Sequence, residues 1–471
     1  MSIMKRRTNS RETATASLLK DWSYLREPRQ SYKERAGLGK EMRAHCSRRS
    51  NGQWKPPGHR VDPLKLLASQ DDARSAHLIP LRYGRMAQSP FAFFRGAALI
   101  MASDLSEMPR TKSPVQLCGD CHLSNFGVFA TPERNVIFDL NDFDETLPGP
   151  FEWDLKRLAA SFAIACADNG LSDATVERSV YALAKTYRQK MQEFSRIRSL
   201  DVWYERINLD YLIKRLKSKH KTSTMIRMLE KRSHAGALAK LTEVVDGKRR
   251  IKDVPPLIYH SGLADVDSSR EVFIHYVQSL WPSRQRLLQR YHLVDVAAKV
   301  VGIGSVGTAA GIALFQGEGE VDDYVFLQVK EASRSVLERY LGKSQFAHNG
   351  ERIVNGQRLI QAAFDLFLGW GSGPKRQFYF RQLMDMKGSV AVSELDAEGI
   401  EDYAEVCAHV LARAHARTGD PALLYGYLGN SDTFDEALTK FAFAYRKQND
   451  RDYDALIKAV KAGKIRTTPG V

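Results

Sequence analysis

The amino-acid sequence predicts an α+β fold in two parts, a β-rich lobe and a larger helical lobe. Three observations carry this. Between about residues 291 and 385, strand-like runs alternate with glycine turns, as where Gly317-Glu318-Gly319-Glu320 leads into Val325-Phe326-Leu327-Gln328-Val329-Lys330. From Trp153 to about Leu288, and again from Tyr403 to Val460, apolar residues recur at helical spacing, Leu155, Leu158, Ala159, Phe162 and Ala163 forming one stripe. A chain of 471 residues with 43% hydrophobic content is too long for one ordinary core and sufficient for two or three.

Taken in order, residues 1–60 read as a basic flexible arm, with Lys5-Arg6-Arg7, Arg26, Arg29 and Arg48-Arg49 set among polar residues without apolar periodicity. Much of the net charge of +15 lies here, so it says less about the folded body than about the arm, which offers a weak polyanion contact. Order begins near Asp62-Pro63. Ser89-Pro90 before an apolar run from Phe91 to Met101 supplies a cap and a first-turn proline for a helix. Phe126 to Phe129 and Val136 to Leu140, around Thr131 to Asn135, predict a short hairpin. Helices are expected over Tyr181 to Phe194, Val272 to Leu287, Ser333 to Tyr340 and Gln357 to Phe367, and a strand over Gln377 to Leu383. The helical lobe is thus drawn from 61–290 and 386–471, and the β-rich lobe from 291–385. Five scattered cysteines, no apolar signal region and no run of about twenty apolar residues lead to the expectation of a cytoplasmic protein without a membrane span.

The chemistry concentrates in Gly119-Asp120-Cys121-His122-Leu123-Ser124-Asn125. An Asp followed five residues later by an Asn is the spacing of kinase-type catalytic loops, where the Asp orients the acceptor hydroxyl and the Asn holds Mg²⁺. A short hairpin ending in a metal-binding Asp should follow, and strand 136–140 runs into Asn141-Asp142-Phe143-Asp144. Oxygen donors of this type suit a hard cation that neutralises triphosphate charge. Asn125, Asp142 and Asp144 are therefore the metal candidates. Gly302, Gly304, Ser305 and Gly307 form a glycine loop followed by a second strand, so it fits a hairpin over phosphates better than a dinucleotide turn. Lys330 ends an apolar strand and is the candidate phosphate lysine. Glu338 is the candidate that positions it, with Glu351 as rival. The expected cofactors are ATP and Mg²⁺.

Several long motifs resemble the bacterial family known as domain of unknown function 2252: Ser89 to Gly96, Cys118 to Gly127, Phe138 to Glu145, Trp153 to Leu158 and Lys330-Glu331-Ala332. That family is functionally uncharacterised. The local motifs also resemble aminoglycoside- and choline-kinase-type phosphotransferases, with their G-D-x-H-x-x-N loop, an I-D-[FW]-[DE] strand end and a D-L about twelve residues later. The interval from Asp142 to Asp154-Leu155 matches, which assigns the metal role to Asp142 over Asp139. The resemblance implies a protein-kinase-like two-lobe fold. Here, however, the glycine loop and Lys330 follow the catalytic loop, so the order implied is circularly permuted. The helix around Leu411 to Ala416 resembles the one that ordinarily precedes the catalytic loop.

The activity expected is transfer of a phosphoryl group from ATP·Mg to an unidentified hydroxyl or amine, on a small molecule or a protein. An AMP transferase, a catalytically silent ATP-binding scaffold and a polyanion-binding protein are the alternatives. Cys118 and Cys121 lack the second pair of a zinc site. His122 and Asp154 read as structural. Arg95, in an otherwise apolar helix, is either a buried salt-bridge partner or a phosphate contact.

Overall fold

In a computed structural model, residues 28–215, 234–260, 270–300, 302–319, 322–383 and 388–468 are described. Residues 1–27 of the expected arm, Glu320 of the expected turn and two stretches of the helical insertion lie outside them.

Residues 28–60 differ from the flexible arm expected. Ser31 and Glu34 form a capping box that starts a helix at Tyr32–Glu41. Arg35 pairs with Asp420 at 2.8 Å. Arg43 donates to the carbonyls of Tyr427 (2.8 Å) and Gly426 (2.6 Å), and Arg48 to that of Leu428 (2.7 Å). The basic residues thus satisfy the orphan carbonyls at the end of the helix Pro421–Leu428.

The helix Pro90–Arg95 begins as its cap predicts, with the Ser89 hydroxyl accepting from the Ala92 N–H. It stops at Gly96, packed on the Met86 side chain, and a second helix runs over Ala98–Ser106. Strands β1 (Pro114–Leu117) and β4 (Leu147–Pro150) pair antiparallel and bracket the hairpin of β2 (Phe126–Ala130) and β3 (Val136–Leu140). The helix Phe151–Asp168 follows, buried on every side. β5 (Ile207–Asn208) extends the edge of β3.

The stretch from 242 to 290, expected to be helical, contains strands. β6 (Thr242–Val245) and β7 (Lys248–Ile251) form a hairpin whose two turn residues, Asp246 and Gly247, both have positive φ. Then come β8 (Ile258–Tyr259), β9 (Tyr291–Lys299), β10 (Ala310–Gly317), β11 (Tyr324–Glu331), β12 (Gly369–Ser372) and β13 (Gln377–Gln382). They make one antiparallel sheet in the order β12-β13-β11-β10-β9-β8. Successive residues point to opposite faces: Ile312 and Leu314 join one apolar cluster, Ala313 and Phe315 the other. Both faces are covered. Leu238, Leu241 and Ile251 close one, and Tyr276 of the helix Arg270–Ser279, with Leu280 just after it, closes the other. The β-rich part therefore draws on residues from about 238, not from 291.

The helices expected at 333–340 and 357–367 are a single turn at Glu338–Leu341 and a helix at Asn349–Ile360. The second ends early because Gln361 is extended, its side chain donating to the Leu140 carbonyl at 2.6 Å. Helices Ala397–Thr418, Pro421–Leu428 and Thr433–Lys461 complete the largest apolar cluster, which joins them to the helices of residues 63–215. Among the described residues, no helix is long and apolar enough to cross a membrane.

Candidate active site

The loop between β1 and β2 is held from the helix Phe151–Asp168. The Asp154 carboxylate accepts the N–H groups of Cys118 (2.8 Å) and Gly119 (3.1 Å), and the Ser161 hydroxyl accepts that of Leu123 (3.0 Å). Gly119 has φ +86°, and a Cβ there would overlap the Glu145 carbonyl. The loop thereby turns Asp120 outward, where Arg157 Nε donates to its Oδ1. Asn125 donates to the Asp120 carbonyl at 2.7 Å. His122 lies edge-on to Phe91, and burial pushes it down to about 3, so its ring is neutral.

Cys118, Cys121 and Asp154 come close enough to share an ion. Burial pushes both thiols up, Cys121 to about 11. The Asp154 oxygens are already occupied by the loop N–H groups.

Opposite Asp120, Lys330 of β11 stands 2.7 Å from Asp144 Oδ2 and 4.0 Å from Asp142 Oδ2. Asp144 also accepts from Tyr379 (2.7 Å) and from Ser305 of the glycine loop (3.1 Å). Burial opposes the Lys330 charge, but Asp142 and Asp144 outweigh it and hold the ammonium above its ordinary range. Burial likewise opposes the Asp142 charge, and Lys330 with Arg381 outweighs it, so this carboxyl is held below its usual value. Glu338 is not the partner of Lys330. It sits 4.0 Å from Arg352, which donates to the carbonyls of Asp144 (2.9 Å) and Thr146 (2.7 Å) and so fixes the acidic loop.

The glycine loop is braced from a segment well before β1 in the chain. Arg74 donates to the carbonyls of Val306 and Gly304, and the Ser75 N–H to that of Gly307 at 2.7 Å. Gly307 has φ +90° and lies against the Arg74 side chain, so a larger residue is excluded there. Asp120, Asn125, Asp142, Asp144, Gly302, Gly304, Ser305, Lys330 and Glu338 all line one cleft of about 700 Å³. Gly307 is set back against Arg74, and Glu351 does not line the cleft.

Arg157, Arg352, Tyr379 and Arg381 also build the site, and sequence reasoning does not find them. Only Arg157 carries a local signal, three residues after Asp154 and so on the same helix face. The cleft combines carboxylate and carboxamide oxygens suited to a hard cation with ammonium and guanidinium groups suited to phosphate.

Glu145, also in the cleft wall, makes this acidic loop sensitive to pH. Burial lifts its carboxyl from 4.5 to about 7, against the Val336 N–H that it accepts at 2.6 Å. Between these values the folded chain keeps a proton that the unfolded chain has lost, so this contribution is present below pH 4.5 and is lost as pH rises to about 7. Glu145→Gln should therefore be more stable than the parent above pH 7 by about 1–3 kcal/mol, with the gap closing towards acid pH. Urea unfolding of both at acid and neutral pH checks this. A gap independent of pH would refute it.

No curated protein and no solved structure matches the chain. A family model described as an uncharacterized protein conserved in bacteria, domain of unknown function 2252, matches residues 74–459, and the chain belongs to that family.

Proposed function

We propose that this protein is an ATP- and Mg²⁺-dependent phosphotransferase of the protein-kinase-like kind, with its lobes in permuted order. One observation carries the reading. Lys330 and Asp144, 186 positions apart, meet beneath a glycine loop in the cleft that also holds Asp120 and Asp142. Lys330 lies on β11, the strand that follows the β9–β10 pair carrying the loop, where kinases carry their phosphate lysine. The permuted order is supported by the helix Ala397–Thr418, near the C-terminal end of the chain. Its Tyr403 hydroxyl donates to the Leu123 carbonyl at 2.7 Å, and its His415 faces Asp154. It thus supports the loop that an ordinary kinase chain would enter from such a helix.

The residues present fit both ATP and Mg²⁺. Asn125, Asp142 and Asp144 supply only oxygen donors, and Asp142 is kept ionised. When bound, the metal would neutralise phosphate charge and the nucleotide would supply the transferred group. Lys330 and the loop from Gly302 to Gly307 would hold the phosphates. Asp120, fixed by Arg157, would orient the acceptor hydroxyl or amine and receive its proton.

The test needs no known acceptor at its first stage. ATP with Mg²⁺ should raise the melting temperature, and ATP with a chelator should not. With candidate acceptors, label from the γ-position should enter product. Label from the α-position alone would replace this reading by adenylyl transfer, and no Mg²⁺-dependent stabilisation would overturn it.

A further inference from the structure

Arg95 ends the helix Pro90–Arg95 and lines the cleft beside Asp120, His122 and Gly304. The two readings that its sequence context leaves open are separated by geometry. Among the described residues no hydrogen bond, ion pair or ring contact engages its guanidinium, and its Nε is buried without a partner. The salt-bridge reading therefore fails. Asp120, the nearby carboxylate, is taken by Arg157, which also donates to the Phe94 carbonyl at 3.0 Å and lies over the Phe94 ring. Of the other cleft cations, Lys330 is engaged by Asp144, Arg381 by the Asn141 carbonyl and Gln328, and Arg74 by the glycine loop, while Arg334 and Lys343 stand exposed to solvent.

An unpaired guanidinium in a partly desolvated cleft is costly, and proteins hold such groups where a ligand completes them. The position says which ligand. Arg95 feels the charges of both Asp120 and Asp142. One of these orients the acceptor and the other holds the metal in the proposed reaction, so the group in transit passes between them. Gly304, at the tip of the glycine loop, closes over the Arg95 backbone, with a notional Cβ 3.6 Å from its carbonyl oxygen.

We propose that Arg95 binds the equatorial oxygens of the phosphoryl group in transfer and stabilises its charge from the helical side of the cleft. This rests on the phosphotransferase reading. A planar, permanently charged donor suits three spread phosphoryl oxygens, and such an arginine acts more strongly on the transition state than on bound nucleotide. No atom of Arg95 enters the bond changes: the acceptor oxygen or nitrogen bonds to phosphorus, the bond to the leaving diphosphate breaks, and the acceptor proton passes to Asp120.

The test uses the full chain, MgADP and MgADP with aluminium fluoride, a stand-in for the phosphoryl group in flight. Wild type should bind the aluminium fluoride complex far more tightly than MgADP. Arg95→Met should keep the MgADP affinity within a few-fold and lose about a hundredfold or more of that preference. Arg95→Lys should restore only part, because a point charge cannot fork onto several oxygens. Unliganded Arg95→Met should melt no lower than wild type, since the guanidinium has no partner to lose. Loss of MgADP and MgADP-fluoride binding in equal measure, an unchanged preference, or a large drop in the unliganded melting temperature would each overturn the assignment. Failure of wild type itself to bind MgADP would instead overturn the phosphotransferase reading, and this inference with it.

Discussion

Asp142→Asn is expected to abolish the Mg²⁺-dependent thermal shift with ATP and to lower phosphoryl transfer by roughly a thousandfold. The metal contributes several kcal/mol of charge stabilisation, and each 1.36 kcal/mol is about tenfold in rate. An amide of the same shape keeps the volume and loses the charge. The fold should survive, because Lys330 retains Asp144 at 2.7 Å and the acidic loop retains Arg352. Asp120→Asn should behave differently, leaving the MgATP shift intact while transfer falls about as far. Isothermal calorimetry of both variants, with and without Mg²⁺, separates the roles. If Asp142→Asn kept its Mg²⁺-dependent binding, the metal assignment would be wrong.

What is legible in the sequence is what is local. The candidate catalytic loop, the β2–β3 hairpin and the interval from Asp142 to Asp154 are each set by neighbours within about a dozen residues, so spacing alone places them. The hairpin of β6 and β7 is also local, since Asp246-Gly247 between Val245 and Lys248 is a two-residue turn signal that the helical periodicity around it masks. Arg352, Tyr379 and Arg381 reach the acidic loop only through tertiary packing, and no sequence interval points to them. The partner of Lys330 is misassigned for a related reason. Position after the strand favours Glu338, but Asp144 is delivered to the lysine by a segment from much earlier in the chain. Residues 28–60 look unstructured because the carbonyls that their arginines cap lie at 426–428.

Asp139 shows how a carboxylate three residues from a candidate metal ligand serves stability instead. Its side chain is 1% exposed and that of Arg413 is 3% exposed, and Arg413 donates to Asp139 Oδ1 at 2.6 Å. The N–H groups of Leu140 and Ala362, each at 2.8 Å, complete its coordination. Burial pushes the Asp139 carboxyl up and Arg413 opposes that. Arg413→Ala should therefore destabilise the protein by about 3–5 kcal/mol, because it leaves a buried carboxylate without its counter-charge. Asp139→Ala should cost about as much by stranding the guanidinium. The double variant should cost clearly less than the sum, since neither charge is then left alone. Urea unfolding of the four proteins gives the coupling energy, and additivity within about 0.5 kcal/mol would refute a buried pair. The same pair joins β3 to the helix Ala397–Thr418. A large coupling would thus show that this late helix belongs to the core that carries the candidate catalytic loop, as the permuted reading requires. Asp139→Ala should meanwhile leave the Mg²⁺ dependence of nucleotide binding unchanged, in contrast to Asp142→Asn.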